Sequence, residues 1–80
     1  MKSIQIQYFA VLRESAGRSD ETVRTQAETA AQLYGELLER HGFTLEPEQL
    51  CVVINDELEA WTTPLHDGDE VVFLPPVAGG

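Results

Sequence analysis

From Lys2 to Phe9 polar and apolar residues alternate, with Ile4, Ile6 and Tyr8 on one side and Ser3, Gln5, Gln7 and Phe9 on the other. A period of two with β-branched residues predicts a half-buried strand. Phe9 stands out because it ends the polar side with a large apolar group. Residues 10–16 suit one or two helical turns stopped by Gly17. Residues 20–25, with Thr22, Val23 and Thr25, suit a short second strand. The period then lengthens. Ala30, Leu33, Tyr34, Leu37 and Leu38 fall on one helical stripe, so a helix is expected from about Thr29 to His41. Thr29 with Gln32 fits a capping box at its start. Arg40 and His41 suit the negative end of the helix dipole, and Gly42 suits its left-handed close. Gly35 inside this helix costs up to about 1 kcal/mol relative to alanine, and a close approach to the sheet would account for it.

Leu50-Cys51-Val52-Val53-Ile54 is nearly continuous apolar sequence, which predicts a central strand buried on both faces. Asn55-Asp56 supplies turn chemistry, Glu57-Leu58-Glu59 a short return strand, and Pro64 to Asp69 a turn into a last strand from Glu70 to Leu74. Pro75 and Pro76 have no N–H to donate and end the sheet pairing. Two strands, a helix, a strand, a short strand and a strand do not make the regular alternation of a doubly wound fold. The order predicts an α+β fold of the ubiquitin-like β-grasp kind. A mixed sheet of about five strands would hold one main helix across it, with a C-terminal tail beyond, all in one domain spanning residues 1–80.

Composition narrows the function. Fourteen acidic residues against five basic ones leave a formal net charge of −9. Such a surface offers few cations for displacing counterions from phosphates, so neither nucleic acid nor an anionic membrane is an expected partner. Partners with basic faces are, and a phosphate site would lie on one of them. With one cysteine, Cys51, there is no intramolecular disulfide and no cysteine-based metal cage. The N-terminal run is not a signal peptide and no stretch approaches a membrane span, so the expected location is the cytoplasm.

The most informative segment is Pro75-Pro76-Val77-Ala78-Gly79-Gly80. The double proline stiffens the exit from the sheet, and the four residues after it span at most roughly 13–14 Å. Two terminal glycines have no Cβ, so this backbone fits a slot too narrow for side chains. A carboxylate on such a tip is suited to activation as an acyl-adenylate, from which a sulfur donor displaces AMP to leave a thiocarboxylate.

The run from Asp67 to Gly80 resembles the C-terminal signature of the small subunit of molybdopterin synthase, the MoaD-type family. Tyr8-Phe9-Ala10-Val11-Leu12-Arg13-Glu14 with Gly17 resembles that family's first strand and short helix, and Val53-Ile54-Asn55 with Leu58 its central strand and turn. The resemblance implies a sulfur carrier whose Gly80 is adenylylated by an E1-like adenylyltransferase using ATP. A sulfur donor protein then supplies the thiocarboxylate. It implies that Pro75, Pro76, Val77, Ala78, Gly79 and Gly80 insert into the large catalytic subunit of the synthase, in a complex of two small and two large subunits. Sulfur would pass there to a cyclic pyranopterin monophosphate, building the dithiolene. Phe9, Leu58 and Leu74 match apolar partner-facing positions. The bottom-up reading agrees, since Phe9 lies opposite Ile4 and Ile6, and Leu74 opposite Val71 and Phe73. Leu74 replaces a common aromatic and Ala78 a frequent serine or threonine. No bound cofactor and no metal are expected.

Other readings stay open. A carrier for thiamine or tRNA thiolation would use the same tail, a ubiquitin-like protein modifier would join it to lysines, and a plain interaction domain would not use it. Asp67-Gly68-Asp69-Glu70 lacks EF-hand spacing and is expected to be an acidic turn. His41 is assigned to the helix end, His66 to a turn and Trp61 to packing under the loop after the fourth strand. Cys51 is expected to be a buried small hydrophobe. No Ser/His/Asp set or catalytic carboxylate pair is visible, so the domain alone should be catalytically inert.

Overall fold

The computed structural model describes residues 1–75. Its elements are β1 (Lys2–Tyr8), α1 (Ala10–Ala16), β2 (Asp20–Thr25), α2 (Ala30–His41), β3 (Cys51–Ile54), β4 (Glu57–Glu59) and β5 (Glu70–Leu74), with a 3-10 turn at Pro47–Gln49. The strands form one sheet in the order β2-β1-β5-β3-β4. β1 and β5 run parallel at its middle, and every other pairing is antiparallel. This mixed sheet with α2 packed on one face is the expected α+β, β-grasp arrangement.

Burial explains the register. Ile4, Ile6 and Tyr8 of β1 are at most 1% exposed, and they face the core beside Val23, Val52, Ile54, Val71 and Phe73. Ala30, Leu33, Tyr34 and Leu37 of α2 close over them. A one-residue slip of any strand would turn its apolar set to water. Trp61 stacks on Phe73 with ring centroids 5.7 Å apart and planes 12° apart, and both rings meet Tyr34. The Tyr34 hydroxyl donates to the Leu45 carbonyl at 2.7 Å, so its burial leaves no unpaired donor.

Local chemistry sets the ends of the elements. Thr29 Oγ1 accepts the Gln32 N–H at 3.3 Å, while the Gln32 side chain accepts the Glu28 N–H at 2.8 Å, one residue ahead of an ordinary capping box. Gly42, at φ 70°, donates its N–H to the Leu38 carbonyl. Asn55 and Asp56 both have positive φ, 51° and 70°, as a two-residue type I′ turn between β3 and β4 requires. The Asp67 and Asp69 carboxylates are spent inside the fold: Asp67 accepts the Ser3 N–H at 2.6 Å, and Asp69 accepts from the His66 N–H and the Asn55 side-chain amide. That turn ties the start of β1 to the β3–β4 hairpin.

Two expectations fail. β3 is not buried on both faces. Val52 and Ile54 point into the core, Val53 is half-buried, and Cys51 is exposed rather than a buried hydrophobe. The described residues hold one long helix, and one helix covers one face of a sheet. Gly35 does not sit against the sheet either. It is exposed, and a Cβ there would meet nothing within 4 Å.

Candidate functional site

β5 carries the chain out of the centre of the sheet, between β1 and β3, and ends at Leu74. Pro75 follows, half-buried, and cannot extend the ladder. The remaining tail positions singled out from sequence, Pro76, Val77, Ala78, Gly79 and Gly80, lie outside the described residues.

Around this exit the uncovered face of the sheet is apolar. Leu58 pairs with Val53 and Val53 with Val72, and directly paired residues point to the same face. Cys51 pairs with Leu74 one step along, and β1 runs out toward Phe9 beside it. Phe9 is 43%, Leu58 72% and Leu74 38% exposed, so all three predicted interface residues stand on the surface. The structure adds Cys51 and Val53, which sequence reading placed inside, and Val72 to the same face. For Cys51 and Val53 the run carries no local signal, because every position in it is apolar and only the placement of α2 selects the covered side.

The apolar face grades into a polar one along a single row. Val72 pairs with Gln7 and Gln7 with Asp20. Gln5, Gln7, Asp20, Thr22 and Glu70 line an open groove of about 280 Å³ there. A second open groove, of about 350 Å³, runs between the β3–β4 turn and the loop at Thr63, Pro64 and His66. Neither is an apolar cavity suited to enclosing a small substrate. Among the described residues no group of three or more His, Cys, Asp or Glu side chains could hold a metal ion. No described helix is long and apolar enough to cross a membrane.

The main ionisable cluster faces the other way, under the end of α2. Glu21 Oε1 accepts from the Tyr8 hydroxyl at 2.5 Å and lies 2.6 Å from His41 Nε2, while Arg18 and Arg40 reach its second oxygen at 3.9 Å. Burial raises the Glu21 pKa, but the Tyr8 and His41 hydrogen bonds and nearby positive charge outweigh it, leaving the carboxyl below its ordinary value. Burial pushes the Tyr8 phenol far above its ordinary value, helped by the hydrogen bond to Glu21 and that carboxylate's charge. These groups brace β1, β2 and α2 together, so His41 does more than cap the helix dipole.

Strand β5 thus ends at Leu74 beside an open apolar face. The family model described as the ThiS family matches residues 6–80. The chain belongs to the ThiS family. A curated relative from Escherichia coli (strain K12), named molybdopterin synthase sulfur carrier subunit, is 35% identical over 80 residues, covering 96% of this chain and 99% of the relative. A solved structure of H. volcanii small archaeal modifier protein 1 superposes with a TM-score of 0.83 at 24% identity, covering 96% of this chain and all of that one; it attests the fold alone. A structure from Helicobacter pylori, of a complex of subunits 1 and 2 of molybdopterin-converting factor, matches with a TM-score of 0.68 at 26% identity over 98% of this chain and 99% of that chain. This ThiS-family chain therefore shares its fold and nearly its whole length with these proteins.

Proposed function

We propose that this protein is the sulfur carrier subunit of a molybdopterin synthase. The observation that carries the reading is the family match, which runs through the tail to Gly80 in a chain whose similar relatives bear that name. The exposed face of Phe9, Leu58 and Leu74 beside the tail's exit supports it, because docking there would place the tail against the same partner.

In this reading the Gly80 carboxylate attacks the α-phosphate of ATP on an E1-like enzyme, and pyrophosphate leaves. Hydrosulfide delivered by a sulfur donor protein then attacks the acyl carbon, the C–S bond forming as the C–O bond to AMP breaks, and the C-terminal thiocarboxylate remains. The chain itself supplies no acid or base to these steps. Its contribution is geometric: a stiff proline stalk, and glycines that let the backbone enter a narrow slot. The large subunit, two copies with two of this chain, binds the phosphorylated pterin and accepts the sulfur. A net charge of −9 suits that division, since the phosphate-binding cations then sit on the partner. The work is that of a cytoplasmic sulfur donor without a bound cofactor.

The test is the intact mass of protein from cells making the cofactor, mapped to the C-terminal peptide. Sulfur in place of the Gly80 hydroxyl oxygen adds about 16 Da, and an unmodified terminus in such cells would sink the proposal. A carrier for thiamine or tRNA thiolation would show the same mass with a different co-purifying partner. A protein modifier would instead leave conjugates of higher mass that survive boiling in denaturant.

A further inference from the structure

The sheet has two edges, β2 and β4, and they differ in what a second copy would meet. Tyr8 donates its N–H to Ser19, whereas Gln5 donates toward the β5 side, to Asp69. In an antiparallel ladder the direction alternates, and Ile6 pairs with Glu21 and Ile4 with Val23. Glu21 and Val23 therefore spend their backbone groups on β1, and Asp20, Thr22 and Arg24 turn theirs outward. The same three residues are exposed, with side chains on the face away from α2. An edge of this kind is a template for another strand.

We propose that β2 pairs with β2 of a second copy of this chain, antiparallel about Thr22, joining two sheets into one of ten strands. A two-fold axis normal to the sheet keeps each face on its own side, so the register must centre on a residue. Centred on Thr22, it sets Asp20 of each copy opposite Arg24 of the other and Thr22 opposite Thr22. Opposite charges and paired threonines are favourable cross-strand neighbours. Arg18 Nε bonds the Asp20 carbonyl at 2.6 Å, but a carbonyl has a second lone pair for the new strand.

Charge selects the edge. Lys2, Arg18, Arg24 and Arg40, four of the five cations in the chain, lie on β2, on its neighbour β1 or against Glu21. This is where two chains of net charge −9 repel each other least. The equivalent pairing of β4 about Leu58 would set Glu57 against Glu59 twice, like charge on like. The dimer closes on itself and leaves Leu58, Leu74 and the tail's exit, toward the far side of the sheet, uncovered.

Sedimentation of the full chain from about 10 μM to 1 mM, in salt near 0.15 M, reads the proposal directly. The expected mass rises from 8.9 kDa toward twice that value. Asp20→Arg, which sets Arg against Arg, abolishes the rise, and the double variant Asp20→Arg/Arg24→Asp restores it. Thr22→Pro removes one outward N–H without touching the bonds to β1, so it stays folded by circular dichroism and monomeric. Hydrogen exchange adds residue detail: the Thr22 and Arg24 amides gain protection with concentration. A wild-type chain that stays monomeric throughout overturns the proposal, as does association that survives in folded Thr22→Pro.

Discussion

At Glu21 four polar groups converge on one carboxylate whose side chain is 10% exposed. Its lowered pKa means that the unfolded chain takes up this proton at a higher pH than the folded chain does. The stability it contributes is fully present above the ordinary carboxylate value of 4.5 and is lost as pH falls through the lower folded value. Glu21→Gln should flatten the dependence of Tm on pH below 4.5, as calorimetry at several pH values would show. The tyrosines have the opposite sign. Burial raises both Tyr8 and Tyr34, the latter with help from Glu46, so their contribution is complete below about pH 10 and declines above it. These are the only two tyrosines, so phenolate absorbance should show no step near pH 10 and should rise together with loss of the helix signal. Gly35 gives a third test. Its added Cβ meets nothing, so Gly35→Ala should stabilise the fold by about 1 kcal/mol in denaturant titration.

Among the elements, α2 was legible because its stripe, cap and closing glycine all agreed. Thr29→Ala should cost about 1 kcal/mol, measured by urea unfolding, since it leaves the Gln32 N–H without its side-chain acceptor. The strand β3 was half legible. Its existence followed from the apolar run, but a run of four to eight apolar residues does not say how many of its faces are covered. The missing fact was non-local. Cys51, Val53 and Val72 are exposed or half-buried because, among the described residues, α2 covers only the other face, and that makes the proposed docking face wider than Phe9, Leu58 and Leu74. Leu58→Lys and Leu74→Lys, both on the open face, should change the unfolding free energy by no more than about 0.5 kcal/mol while weakening co-purification of the large subunit.

For the whole molecule, the core and the tail are separable. The buried set described for residues 1–75 is built on β1, β2, β3, β5, α1, α2 and the loops between them. Deleting Gly79 and Gly80 should therefore leave the Tm unchanged and abolish sulfur transfer in a reconstituted synthase. A plain interaction domain would keep its function in the same experiment. The Trp61–Phe73 stack gives a built-in monitor, because Phe73 sits two residues before Pro75 and any repacking of β5 would alter Trp61 fluorescence.

The sequence by itself determined the elements, their order, the α+β class and the resemblance to sulfur carriers, because period, caps and tail motif are all local along the chain. It also determined that Phe9 and Leu74 point away from their strands' core sides, since that follows from parity alone, whereas Leu58, between two glutamates, was placed on the partner side only by the resemblance. Only the tertiary structure decided which face α2 covers, and with it the exposure of Cys51 and Gly35. It alone brought Tyr8, Arg18, Arg40 and His41 to one carboxylate, and it alone left β2 and β4 at the edges. The reason is physical: burial and charge pairing depend on which segments meet across the sheet, and residues far apart in sequence carry no mark of their neighbours.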